Sequence, residues 1–211
     1  TPATANGQAI YQKGAVSIWR DKVFESTANG SAKVDLHVNG ATRIGDTDPA
    51  VTKKVGASSF AGGNAAVASG ENSISYGNSS EASGSSSVAL GDSNVSSGSS
   101  SFTAGTSNIA GGISSVALGS ENEIDSNANF SIVGGLSNLI KNSSYSAVVL
   151  GTRNNIDQSA NAMAVGTDNI IGSKASAYAS IALGSGNRID SNYGAAIGLE
   201  NEIGQYSNSS F

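Results

Sequence analysis

The chain has 211 residues, of which 27 are glycine, 13% are charged and 6% are aromatic. A typical globular domain carries about 25% charged residues around large buried side chains, so this composition argues against an ordinary enzyme core, while evenly spaced apolar residues argue against disorder. The formal charge of −5 divides unevenly: residues 1–56 hold seven Lys or Arg against five Asp or Glu (+2), and residues 57–211 hold four against eleven (−7), so the long acidic part repels phosphate and nucleic acid is not an expected partner.

Residues 1–56 do not repeat. Val34, Leu36 and Val38 alternate with polar residues ahead of Asn39-Gly40, a hairpin signal. We expect two short β-hairpins that cap or dock on the repeats beginning at residue 57, because a solenoid needs its open end covered. The chain starts at Thr1 without Met, which we read as processing or as excision from something longer.

From residue 57 the chain repeats a short phrase. Glycines stand at Gly63, Gly77, Gly91, Gly105, Gly119, Gly135, Gly151, Gly166, Gly184 and Gly198, with spacings of 14, 14, 14, 14, 16, 16, 15, 18 and 14. A period this short suits coils of β-structure rather than paired helices. Three residues before each anchor glycine the column is apolar, as in Val88, Val116, Ile132, Val148 and Ile181, and one residue before it is again mostly apolar, as in Leu90, Leu118, Leu150, Leu183 and Ile197. That period of two predicts a strand with one buried face, and these ten residues are the expected rung core. The column between them is small and uncharged: Ala89, Ala117, Val133, Val149, Ala182. Three residues after the anchor, Asn fills eight of the ten units, from Asn94 to Asn201. Stacked coils would turn that column into an amide ladder, and Asn would tolerate a left-handed backbone at the turn. Two residues further on, the later units carry Ile124, Ile140, Ile156, Ile171, Ile189 and Ile203.

Ten rungs at about 4.8 Å each make a rod of roughly 48 Å. So thin a coil offers few inward side chains against a chain entropy of about 1–2 kcal/mol per residue. Association with identical coils about a common axis is therefore expected, with closed symmetry to stop propagation.

The phrases "SSVALGDSN" at Ser86–Asn94, "SSVALGSEN" at Ser114–Asn122, "ASIALGSGN" at Ala179–Asn187 and "GAAIGLEN" at Gly194–Asn201 resemble the head repeats of trimeric autotransporter adhesins, the YadA-like heads. The resemblance covers residues 57–204, and residues 205–211 would lead out of the head. It implies an all-β, left-handed parallel β-roll of about ten rungs of 14–16 residues, three chains per head, displayed extracellularly on a bacterial surface and anchored to the outer membrane by regions outside this chain. It also implies a non-catalytic adhesin that binds host matrix proteins or surface glycoproteins. The sequence departs from the family pattern in its longer later rungs and in lacking neck, stalk and anchor. "LHVNGATRIG" in the leader is similar to segments of phage tail fibres, which keeps a trimeric viral fibre as the alternative.

Catalytic and metal-binding constellations do not assemble from the sequence. His37, the single histidine, shares its strand face only with Asp35, and Trp19 suits a hairpin core better than a sugar platform. Asp125, Asp157 and Asp190 recur at one column and are expected to solvate turns; Glu121 with Glu123, and Glu200 with Glu202, copy one exposed edge. The absence of Cys removes disulfides and thiolate metal sites, and no cofactor is expected. No apolar run approaches the about 20 residues that cross a bilayer. If ligands bind along the rod, the turns after the anchors, with Glu121, Arg153 and Arg188, are the expected contacts.

Overall fold

The computed structural model describes Thr42–Ile44 and residues 55–205. The hairpins expected in the leader, with Trp19 and His37, and the last six residues lie outside that range. The chain divides into two compact units, Thr1–His37 and Val38–Phe211, and the second contains every described residue.

Each repeat unit forms a long strand and a short strand joined by the glycine turn, for example Val116–Ser120 with Glu123–Ile124. Long strands pair only with long strands, in parallel, one rung to the next, and build a sheet of eleven; short strands build a second sheet of ten. The register locks anchor to anchor: Gly105, Gly119, Gly135 and Gly151 lie opposite one another on successive strands. The result is a parallel β-solenoid of about ten turns, with no helix among the described residues. The ten rungs supply ten of the eleven strands of the first sheet, and Thr42–Ile44 is the eleventh, parallel to Phe60–Gly62.

The interior differs from the expectation by one residue of phase. The side chains that point into the coil are the small middle column, with Ala89, Ala117, Val133, Val149, Ala164 and Ala182 fully buried, and the isoleucines of the short strands opposite, Ile124 to Ile189. The ten residues expected as rung core point outward. Leu118, Ile132, Leu150 and Ile181 are 40–44% exposed and Ile197 is 72% exposed; Val88, Leu90, Val116, Val148 and Leu183 are half-buried. The cause is the thinness of the coil. Facing strands lie so close that the hydroxyls of Ser96 and Thr103 meet across the interior at 2.8 Å. Such a gap accepts one small and one larger side chain per rung and excludes two columns of Val and Leu. The filling also grows along the rod, from Ala82 with Ala89 near the start to Ile140 with Val133 further on.

Two devices, one in the backbone and one in the side chains, hold the rungs at this spacing. The anchor glycines have φ between 107° and 127°, and a Cβ on Gly77 would lie 1.9 Å from the carbonyl oxygen of Gly91. Both facts demand glycine. The expected Asn column does form a ladder: from Asn108 to Asn201 each Nδ2 donates to Oδ1 of the previous rung's Asn at 2.8–3.0 Å. The left-handed residue, however, is the one before it, for example Ser93, Ser107, Glu121, Ser137 and Arg153, with φ of 53–57°. The ladder asparagines do not adopt positive φ.

Length variation is confined to one place. The anchor and the inward residue of the short strand are always five apart, as Gly119 to Ile124 and Gly184 to Ile189, while the extra residues fall after the short strand, as in Asp125–Asn127 and Ser173–Ser176. Insertions there widen one corner and leave the sheets in register.

Candidate functional surfaces

Three long surfaces arise from this coil. The first is the outer face of the long-strand sheet. Alternation puts two apolar columns side by side on it, with Ile74, Tyr76, Leu118, Ile132, Leu150 and Ile197 among the exposed members. No charged residue interrupts those two columns over the ten rungs. Contiguous apolar surface on this scale is a candidate for contact with another surface.

The second is the edge of turns after the anchors, the expected place for ligand contacts. Glu121 and Arg153 do occupy this edge, at the left-handed position. They do not converge, because two rungs, roughly 10 Å, separate them. Each is satisfied within the chain. Glu121 accepts a hydrogen bond from Ser137 Oγ at 2.8 Å, and Arg153 grips Asp168 of the next rung through two bonds of 2.7 Å. The Arg153 hydrogen bonds hold the Asp168 carboxyl below its usual range, and the pair in turn raises the guanidinium. Both groups are solvated, so the pair adds little stability.

Arg188 is not a turn residue. It lies in the short strand Arg188–Ile189, and its Nε donates to Asp190 at 2.8 Å while its other nitrogen donates to Ser173 Oγ. Asp190, expected to solvate a turn, is only 2% exposed. It also accepts from the Lys174 backbone N–H at 2.8 Å and from Ser173 Oγ at 3.1 Å. Burial alone would raise this carboxyl; the Lys174 N–H, the Arg188 guanidinium and Ser173 outweigh it and hold it low. The cluster pins the longest insertion against the body. Asp157, expected to solvate a turn, instead ends the short strand Asn155–Asp157, and Asp125 directly follows the short strand Glu123–Ile124; both are half-buried and are linked through Asn142, whose N–H donates to Asp125 and whose amide donates to Asp157. Among the described residues, no three His, Asp or Glu side chains come together as a metal site.

The third surface is the return corner ahead of each long strand, which sequence reasoning missed. Phe130, Tyr145, Tyr178 and Tyr193 stand there, 40–61% exposed. Their signal is obscured in the sequence because they alternate between two adjacent columns. A depression of about 180 Å³ lined by Ala195, Ile197, Asn201 and Glu202 lies at the last described rung; it is the end of the coil, bounded by strand backbone rather than by converging reactive groups. Among the described residues, no helix is long and apolar enough to cross a membrane.

No protein-family model matches the chain, and no curated protein matches it.

Proposed function

We propose that this chain is the head of a trimeric, non-catalytic adhesin displayed on a bacterial outer surface, which grips host matrix proteins or surface glycoproteins along its length. The observation that carries the reading is the uninterrupted apolar face of the long-strand sheet. A thin interior is one reason to expect association; the outward columns supply a better one. Leu118, Ile132, Leu150 and their neighbours lose water only if sister copies cover them, and burial at about 25 cal/mol per Å² favours that assembly. Closed three-fold packing of a left-handed roll would cover one such face per chain and leave the turn edges and return corners outside. A rigid rod of repeated shallow surfaces then gains affinity by multivalency rather than from one deep pocket. The leader would cap or dock on the first rung.

The test is native mass followed by adhesion to an array of immobilised matrix proteins and glycoproteins. The expected particle has three times the chain mass and adheres. A monomer that keeps its β-sheet signal removes the physical basis of the reading, and a trimer that adheres to nothing on the array removes the function.

A further inference from the structure

The return corner of the later rungs carries a second kind of surface. Backbone hydrogen bonds of 2.8–3.0 Å place its residues in one file: Phe130 N–H donates to the Ile113 carbonyl, Ser146 to Asn129, Asn161 to Tyr145, Ala179 to Ala160 and Tyr193 to Tyr178. Phe130 and Tyr145 are therefore one rung apart, Tyr145 and Tyr178 two, and Tyr178 and Tyr193 one. The last two rings meet edge to face with centroids 5.8 Å apart. Polar amides are interleaved. Asn129 Oδ1 is held by the Ile113 N–H at 2.8 Å and Asn192 Oδ1 by the Tyr178 N–H at 2.9 Å, which leaves each Nδ2 as a donor beside a ring.

We propose that this corner binds an extended, uncharged polysaccharide. Aromatic rings offer flat faces for the C–H faces of pyranose sugars, and amides and phenols offer bonds to their hydroxyls. The rung spacing of about 4.8 Å is close to the length of one sugar in an extended chain, so the file from Phe130 to Tyr193 matches four or five residues in register. Neither column holds Asp, Glu, Lys or Arg between Ile113 and Tyr193, which favours a neutral ligand over a sulfated or phosphorylated one. A protein partner would need a patch of about 800 Å² per side, whereas this file is one or two side chains wide. The rungs before Ile113 carry no aromatic residue here, with small Ser85, Ser86, Ser99 and Ser100 and polar Glu71 and Asn72, so the platform belongs to the later half. The inference rests on the adhesin reading and names one ligand class for it.

The experiment compares the full chain with the quadruple variant Phe130→Ser, Tyr145→Ser, Tyr178→Ser and Tyr193→Ser. Serine already occupies these columns in earlier rungs, so the coil tolerates it. Titration calorimetry with hexasaccharides of β-1,4-linked glucose, β-1,4-linked N-acetylglucosamine and α-1,4-linked glucose is run at about 0.05 and 0.5 M salt, a range that screens charge–charge contacts. The expected result is binding of at least one hexasaccharide, insensitive to salt, and weakened roughly tenfold or more in the variant, as for loss of anchor aromatics. No binding of any of the three, equal binding by the variant, loss of binding at high salt, or a smaller native particle for the variant, which would make the corner a contact between copies, each overturns the proposal. Adhesion to matrix proteins that persists in the variant leaves the adhesin reading standing while the polysaccharide site falls; failure of both chains on every surface sinks the wider reading.

Discussion

Asn122 Oδ1 accepts two hydrogen bonds from Asn138 of the next rung, one from its backbone N–H at 3.1 Å and one from its amide at 2.9 Å. Its own Nδ2 donates back to Asn108 and on to the Gly135 carbonyl. One side chain thus joins three successive rungs in a place that water does not reach. This is why an Asn-rich chain forms a rod: the polar column is satisfied by its own copies, and each copy makes the next one easier to order.

Asn122→Ala should therefore be costly. A buried polar group left without its partner costs about 1–3 kcal/mol, and this change orphans groups on both neighbouring rungs. Asn201→Ala, at the exposed last rung, should lie within about 0.5 kcal/mol of the parent. Urea midpoints at equal protein concentration distinguish the two; equal midpoints would remove the ladder as a source of stability.

Gly134 and Gly135 are neighbours with opposite demands. A Cβ on Gly134 meets only the tip of Leu150 at 3.2 Å, whereas one on Gly135 would sit 1.9 Å from the Gly151 carbonyl at a φ of +120°. Gly135→Ala should destabilise by more than the roughly 1–3 kcal/mol of backbone strain alone, because the next rung must also move. Gly134→Ala should be close to neutral. Thermal melting of the two variants checks the contrast.

Asp190 makes stability depend on acid. Its carboxyl is held below the ordinary value of 3.8 in the folded chain, so its stabilising contribution is complete above that value and is lost as pH falls through the lower folded value. Asp190→Asn should melt at a lower temperature than the parent at neutral pH, and the difference should shrink as pH drops below 3.8. Proteolysis between Ser173 and Ser176 should speed up in the variant at neutral pH, since Arg188 Nε loses its acceptor and the bonds from Ser173 and Lys174 lose the negative charge that strengthens them. A melting difference that stays constant with pH would assign the clamp to packing instead.

The period, the anchors, the strand-turn-strand rung and the Asn ladder are legible in the sequence because each depends on one residue type recurring at one offset. The inward face is not, since the rule that larger apolar residues go inside fails in a coil two side chains thick. The columns do hold the clue: Gly62, Tyr76, Leu90 and Gly134 share one position, and a packed interior does not accept Gly and Tyr in the same layer. The middle column never exceeds valine, as a tight gap requires. Among the binding candidates, Glu121 and Arg153 do stand on the turn edge, but their pairing partners arrive from other rungs. The aromatic corner is hidden because its members split between two columns, Phe130 and Tyr193 five residues before their anchors and Tyr145 and Tyr178 six before, and the backbone register is what places them at one corner.

The corrected phase gives a paired test in adjacent residues. Ala117 is fully buried against the short strand, and Leu118 is 40% exposed on the outer face. Ala117→Leu forces extra methylenes into a filled gap, at about 1–3 kcal/mol or more, and should lower melting whether or not copies associate. Leu118→Asp leaves the interior untouched; placed on a face that sister copies cover, its unpaired charge should reduce the native particle toward the mass of a single chain while the β-sheet signal remains. The opposite pattern, with Ala117→Leu tolerated and Leu118→Asp unfolded, would restore the large columns to the interior. A soluble particle of unchanged mass for Leu118→Asp would instead leave the apolar face without the partner copies proposed for it.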